Sequence, residues 1–175
     1  TPLSSSAASD VYKRQGMGKD LFDSTDVGKK FYNLANDILE VDIQDISFNG
    51  PEEKLKITKY TQPAIFIVSS VISHLLIENG HVPGCVAGHS LGEYSALTAA
   101  GGISFETGLE LVKIRSNSMD KAGITNPGTM AAIIGLNMDS VVKLANSIKT
   151  NEVVVAANHN TCLLYTSDAA DDDRG

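Results

Sequence analysis

Val27, Phe31, Leu34 and Ile38 recur at steps of four, three and four, which places them on one face of a helix. Asp26 stands at its start as the expected cap. Asn49-Gly50-Pro51 reads as a turn, and residues 54–60 as a connector. Thr61-Gln62-Pro63 opens a second helix, with the proline at its first helical position, and Gly80 ends it after Asn79. Its apolar residues, from Ile65 through Phe66, Val68 and Val71 to Leu75 and Ile77, nearly encircle the axis, so burial on several sides is expected. Cys85-Val86-Ala87 is a short apolar run that predicts a buried strand, and residues 93–100 are helix-compatible. Gly101-Gly102 breaks the chain, Ser104 caps a helix reaching about Lys121, and residues 123–128 form a loop. Residues 130–136 and 152–157 read as strands, flanking an amphipathic helix over 139–149 through Val141, Leu144, Ala145 and Ile148. The alternation predicts an α/β fold with a parallel sheet up to about Lys121, followed by a smaller, separate strand-helix-strand element.

Composition narrows the class without naming a chemistry. The 175 residues are 42% hydrophobic and 20% charged, which suits a globular domain with a real core. The net charge of −7 argues against a general nucleic-acid binder. No stretch is expected to span a bilayer and no secretory signal is visible, so a cytoplasmic protein is expected. The two cysteines, Cys85 and Cys162, make no metal spacing, and Cys85 reads as a small core hydrophobe.

The two ends differ from the middle. Residues 1–15 are rich in Ser and Ala without periodicity, and residues 161–175 close on an acidic run unable to bury anything. Both resemble translated adapter sequence, so they are expected to be non-native tails around an internal fragment of a longer protein.

The residues richest in chemistry are Gly88-His89-Ser90-Leu91-Gly92, between the apolar run and the helix-compatible stretch. Strand, tight turn and helix in that order match the elbow that exposes a serine hydroxyl on a strained backbone. A β-carbon at either flanking glycine is expected to collide with a neighbouring element. The residue after the serine opens a helix, so its backbone N–H faces an oxyanion forming at an attacked carbonyl. Ser90 is therefore the candidate nucleophile and Leu91 the candidate oxyanion donor. Without that context the motif is a glycine-rich turn with an inert serine.

Further segments carry a resemblance that the elbow alone does not. They are Gly16-Met17-Gly18-Lys19-Asp20-Leu21, Thr58 with Thr61-Gln62-Pro63-Ala64, Gly88 through Leu97, Ala100-Gly101-Gly102-Ile103-Ser104-Phe105, Leu111-Val112-Lys113-Ile114-Arg115 and Gly128 through Gly135. In this order the chain resembles the malonyl-CoA:acyl-carrier-protein transacylases, and more broadly the acyltransferase domains of fatty-acid and polyketide synthases. The resemblance implies a hydrolase-like parallel-sheet large subdomain, of which residues 16–124 are part, and an inserted ferredoxin-like small subdomain, of which 125–160 are part. It implies an [acyl-carrier-protein] S-malonyltransferase that uses malonyl-CoA and acyl carrier protein through a malonyl-serine intermediate, with no metal or redox cofactor and no nucleic-acid or membrane partner. Ser90 matches the nucleophile and Leu91 an oxyanion donor. Arg115 matches the arginine that binds the malonyl carboxylate, a task suited to a planar fork that stays charged when desolvated. From spacing alone, Arg115 is equally a solvated helix residue beside Lys113.

The departures are as definite. The family's Gly-Gln-Gly-Ser-Gln loop is not matched, and Gln15 is assigned no role. None of His74, His81, His89 or His159 matches the general-base histidine, which the resemblance places outside this chain. His89 is expected to pack near the site, and His74 and His81 to be structural. A serine without its base is a poor nucleophile, so the fragment itself is expected to be inactive. An acidic carrier needs a basic patch, for which Lys113, Arg115 and Lys121 are the candidates. A polyketide-synthase acyltransferase domain and a serine esterase of the α/β-hydrolase class remain open alternatives, as does a non-enzymatic binding fragment.

Overall fold

The computed structural model describes residues 14–131, 133–148 and 153–159. The described residues fall into two units, one ending at Thr129 and one running from Met130. The expected tails, 1–15 and 161–175, lie outside the described residues except for Arg14 and Gln15.

Helices build the first unit. They are α1 (Lys19–Ser24), α2 (Asp26–Leu39), α3 (Ile43–Phe48), α4 (Glu52–Lys56), α5 (Thr58–Glu78), α6 (Gly92–Ala99) and α7 (Phe105–Thr125). The face predicted for α2 is the buried one, with Phe31 buried and Val27, Leu34 and Ile38 packed against the core. Its cap is Thr25 rather than Asp26: the Thr25 hydroxyl accepts from Gly28 N–H at 2.9 Å. Asp26 is instead the first helical residue, where its charge favours the dipole. Ser104 caps α7 as expected, accepting from Thr107 N–H at 3.1 Å. That helix continues to Thr125, so Gly123 is helical and the expected loop begins later.

The connector expected over 54–60 is largely helical. Lys56 and Glu52 pair at 2.9 Å along α4, and α5 already begins at Thr58. Pro63 therefore sits inside α5 rather than at its first position. The early start is held by Thr61, whose hydroxyl donates to the Leu55 and Ile57 carbonyls, tying the helix to the end of α4.

The core forms where α2, α3, α5 and α7 meet. Phe31 stacks on Phe105 with ring centres 4.1 Å apart, and Phe105 stacks on Phe66 at 5.6 Å. Ile67, Val71, Leu109 and Val112 are fully buried beside them, each worth about 1.5–3 kcal/mol of transfer free energy. Close approach of the helices depends on Gly108, where a β-carbon would lie 2.6 Å from the Phe66 ring and 2.9 Å from the Thr98 hydroxyl. Lys113 fastens α7 to the end of α2, donating to the Ile38 carbonyl at 2.7 Å and to Glu40 at 2.8 Å. That hydrogen bond and charge hold the exposed Glu40 carboxyl below its ordinary range. Lys113, a candidate for a docking patch, is thus engaged in a structural tie.

Helix α5 departs from its expected burial. Thr61–Ala64, Phe66, Ile67, Ser70 and Val71 are buried, whereas Ile72, Leu76 and Ile77 are exposed. Its 21 residues are long and apolar enough by length and composition to cross a membrane, contrary to expectation, and the buried positions are core positions of this unit.

The expected strands do not form among the described residues. Cys85, Val86 and Ala87 are exposed, and Cys85 is not the core residue its apolar neighbours suggested. A strand exists only through hydrogen bonds to a neighbouring strand, and the described residues pair none with this run. In the second unit, α8 (Met138–Ser147) forms where an amphipathic helix was expected, capped by the Asn137 side chain accepting from Ser140 N–H at 2.9 Å. Residues 130, 131, 133–136 and 153–157 form no strand, and residues 132 and 149–152 lie outside the described residues.

Candidate active site

The turn before α6 has the backbone of a nucleophile elbow. Ser90 is left-handed, with φ of 55°, a conformation that costs a non-glycine residue about 1–2 kcal/mol. Hydrogen bonds to the flanking carbonyls hold it: Gly92 N–H to His89 at 2.9 Å, Glu93 N–H to Ser90 at 3.3 Å and Tyr94 N–H to Leu91 at 3.1 Å. Leu91 has helical dihedrals and its N–H bonds no backbone carbonyl among the described residues. That donor stands at the free N-terminal end of α6, where the helix field favours negative charge.

The two glycines of the motif are not equivalent. A β-carbon on Gly88 would lie 2.0 Å from the Gly92 carbonyl group and 2.3 Å from the Glu93 nitrogen. At Gly92 nothing lies within 4 Å of such an atom among the described residues. The expected collision therefore holds at Gly88 and fails at Gly92, because the N-terminal side of α6 faces open space.

Arg115 reaches this turn from α7. Its Nη2 donates to Ser90 Oγ at 2.7 Å. Its Nη1 donates to Gln62 Oε1 from α5. Gln62 Nε2 in turn donates to Thr58 Oγ1 at 2.9 Å and to Met119 Sδ at 3.3 Å. Side chains of α5 and α7 thereby form one chain of hydrogen bonds that ends on the Ser90 hydroxyl. Thr58, Gln62, Ser90, Leu91, Arg115 and Met119 line an open cleft of about 950 Å³, a size suited to a cofactor-sized ligand. No carboxylate pairs with Arg115 among the described residues, so its charge stands unneutralised in the cleft wall.

Sequence reasoning singled out Ser90, Leu91 and Arg115, and the structure brings all three to the same cleft. It gave Gln62 and Thr58 no role beyond carrying the resemblance, and Met119 none. The legible signal was a glutamine amid apolar residues on a helix expected to be buried, since a buried amide needs partners. Ser90 Oγ takes a hydrogen bond from Arg115. His89 is exposed at the elbow, and His81 is exposed beyond the end of α5. His74 is half exposed, pairing with Glu78 at 3.2 Å and meeting the Phe31 ring edge-on. His159 belongs to the second unit. Gln15 donates to the Asn49 carbonyl at 2.7 Å, away from the elbow.

Comparison with known proteins bears on this geometry. Residues 13–168 match the acyl transferase domain family. The malonyl CoA-acyl carrier protein transacylase of Bacillus subtilis is 35% identical over 146 residues, covering 83% of this chain and 46% of that protein. The enzyme of the same name from Synechocystis is 41% identical over 146 residues, covering 83% and 47%. The crystal structure of the Synechocystis malonyl-CoA:ACP transacylase superposes with a TM-score of 0.70 at 39% identity, over 77% of this chain and 44% of that one. The chain spans slightly less than half the length of these relatives.

Proposed function

The chain belongs to the acyl transferase domain family, and we propose that the protein of which it is a segment transfers a malonyl group from coenzyme A to the phosphopantetheine thiol of acyl carrier protein. The observation that carries this reading is the Arg115 guanidinium 2.7 Å from the Ser90 hydroxyl at a nucleophile elbow. A simple esterase has no use for an unneutralised cation there. A malonyl thioester does, because its free carboxylate lies one methylene from the carbonyl to be attacked.

The reaction has two halves. Ser90 Oγ attacks the thioester carbon while a base removes its proton, and the tetrahedral oxyanion is held by the Leu91 N–H. The C–S bond breaks, coenzyme A leaves as the thiol, and a malonyl ester remains on Ser90. The carrier's thiol then attacks that ester and releases Ser90 with its proton restored. Arg115 holds the malonyl carboxylate in both halves, and an acetyl group would leave the cation unpaired. The base is a histidine that the family resemblance places outside this chain, and no step calls on a metal or redox group.

In this reading residues 16–124 belong to a hydrolase-like large subdomain whose parallel sheet places Cys85-Val86-Ala87 as a strand, residues 125–160 to a ferredoxin-like small subdomain, and the protein to the cytoplasm. The test is radiolabelled malonyl-CoA given to the full-length protein. Label should become attached to Ser90, pass to acyl carrier protein, and disappear with Ser90→Ala. Label retained in that variant would overturn the reading. The 175-residue chain by itself should transfer none.

A further inference from the structure

We propose that Gln62 is a positioning residue for Arg115 and sets the preference for an acyl thioester bearing a free carboxylate; this rests on the transfer reaction proposed above. The orientation of its amide follows from the chemistry of its neighbours. Arginine only donates and a thioether sulfur only accepts. With Arg115 on one side and Met119 Sδ 3.3 Å away on the other, Oε1 faces the guanidinium and Nε2 faces Met119 and Thr58. Thr58 Oγ1 at 2.9 Å gives Nε2 its stronger acceptor. Gln62 is 6% exposed and lies between buried Thr61 and Pro63, so its side chain is held in place.

Two consequences reach the substrate. The first is geometric. Nη1 is tied to Gln62, which leaves Nη2 as the end that faces Ser90. A carboxylate delivered with an acyl group on Ser90 meets that same end. An untethered arginine would have to surrender rotamer freedom when the substrate binds. The second is electrostatic. Glutamine supplies an acceptor without a charge, so it fixes the guanidinium and leaves the cation for the ligand. Glutamate would fit the same space and neutralise it.

The experiment compares kcat/KM for malonyl-CoA and acetyl-CoA in the full-length protein and in Gln62→Glu, Thr58→Val and Arg115→Ala. Thermal denaturation separates a loss of fold from a loss of selectivity. Gln62→Glu should lower the malonyl-to-acetyl ratio about 30-fold, mainly through KM for malonyl-CoA, because the neutralised guanidinium no longer offers the substrate carboxylate an unpaired charge. Thr58→Val, which lets the amide turn over, should lower the ratio about 5-fold. A ratio lost in Arg115→Ala but kept in both Gln62→Glu and Thr58→Val overturns the inference and leaves the transfer reaction standing. A ratio unchanged in Arg115→Ala overturns the reaction reading and this inference with it.

Discussion

The Ser90 hydroxyl accepts a hydrogen bond from the Arg115 guanidinium at 2.7 Å, across 25 positions of sequence and from a different helix. The contact puts the cation beside the hydroxyl that the proposed reaction would acylate. In the transfer reaction proposed above, a malonyl group would exchange this neutral acceptor for an anionic one at Nη2. A carboxylate can take the guanidinium fork bidentately and neutralise its charge, which a single hydroxyl cannot, so the exchange favours a substrate that carries the anion.

Arg115→Lys should not preserve selectivity. One ammonium cannot reach Gln62 and Ser90 together with the planar fork's geometry. In the full-length protein, kcat/KM for malonyl-CoA is expected to fall about 100-fold, consistent with 2–3 kcal/mol for interactions of a charged group. Steady-state kinetics with both thioesters checks this.

Ser90→Gly should separate stability from chemistry. Glycine adopts a φ of 55° without strain, so the folded chain should gain about 1 kcal/mol while acyl labelling vanishes. Ser90→Ala removes the same hydroxyl but keeps the strain, and should show no such gain. Urea denaturation of the two variants side by side measures the difference.

The glycines of the elbow should respond unequally. Gly88→Ala forces a carbon to within 2.0 Å of backbone atoms, and a loss of about 2–4 kcal/mol is expected. Gly92→Ala meets open space at the first residue of α6, and should be neutral or stabilising by up to about 1 kcal/mol. Melting temperatures of the two variants decide it.

Tyr32 should make the fold sensitive to alkali. Its side chain is fully buried, its hydroxyl donates to the Met17 carbonyl at 3.3 Å, and burial followed by the negative charge of Asp20 pushes the phenol well above its ordinary value. The folded state thus favours the protonated phenol. Its contribution is whole below the unfolded pKa of about 10 and is lost as pH rises through the folded pKa. Tyr32→Phe should remove that part of the alkaline decline, read from denaturation midpoints between about pH 9 and pH 12.

Local patterns carried much of this protein into view. The apolar spacing of Val27, Phe31, Leu34 and Ile38 marked the inner face of α2, Ser104 and Gly80 marked helix ends, and Gly88 through Gly92 marked the elbow. Each depends on neighbours within a few residues, so the sequence holds the whole of it. What depended on distant segments was decided by the tertiary structure. Cys85-Val86-Ala87 has the composition of a strand, yet strand formation needs a partner's N–H and C=O groups, and among the described residues it has none. The cleft is the positive case. Gln62 and Arg115 stand 53 positions apart, and each is ambiguous on its own helix. Packing of α5 against α7 around Phe66, Phe105 and Gly108 brings them to Ser90, because only the way those helices pack sets which polar side chains share one cleft.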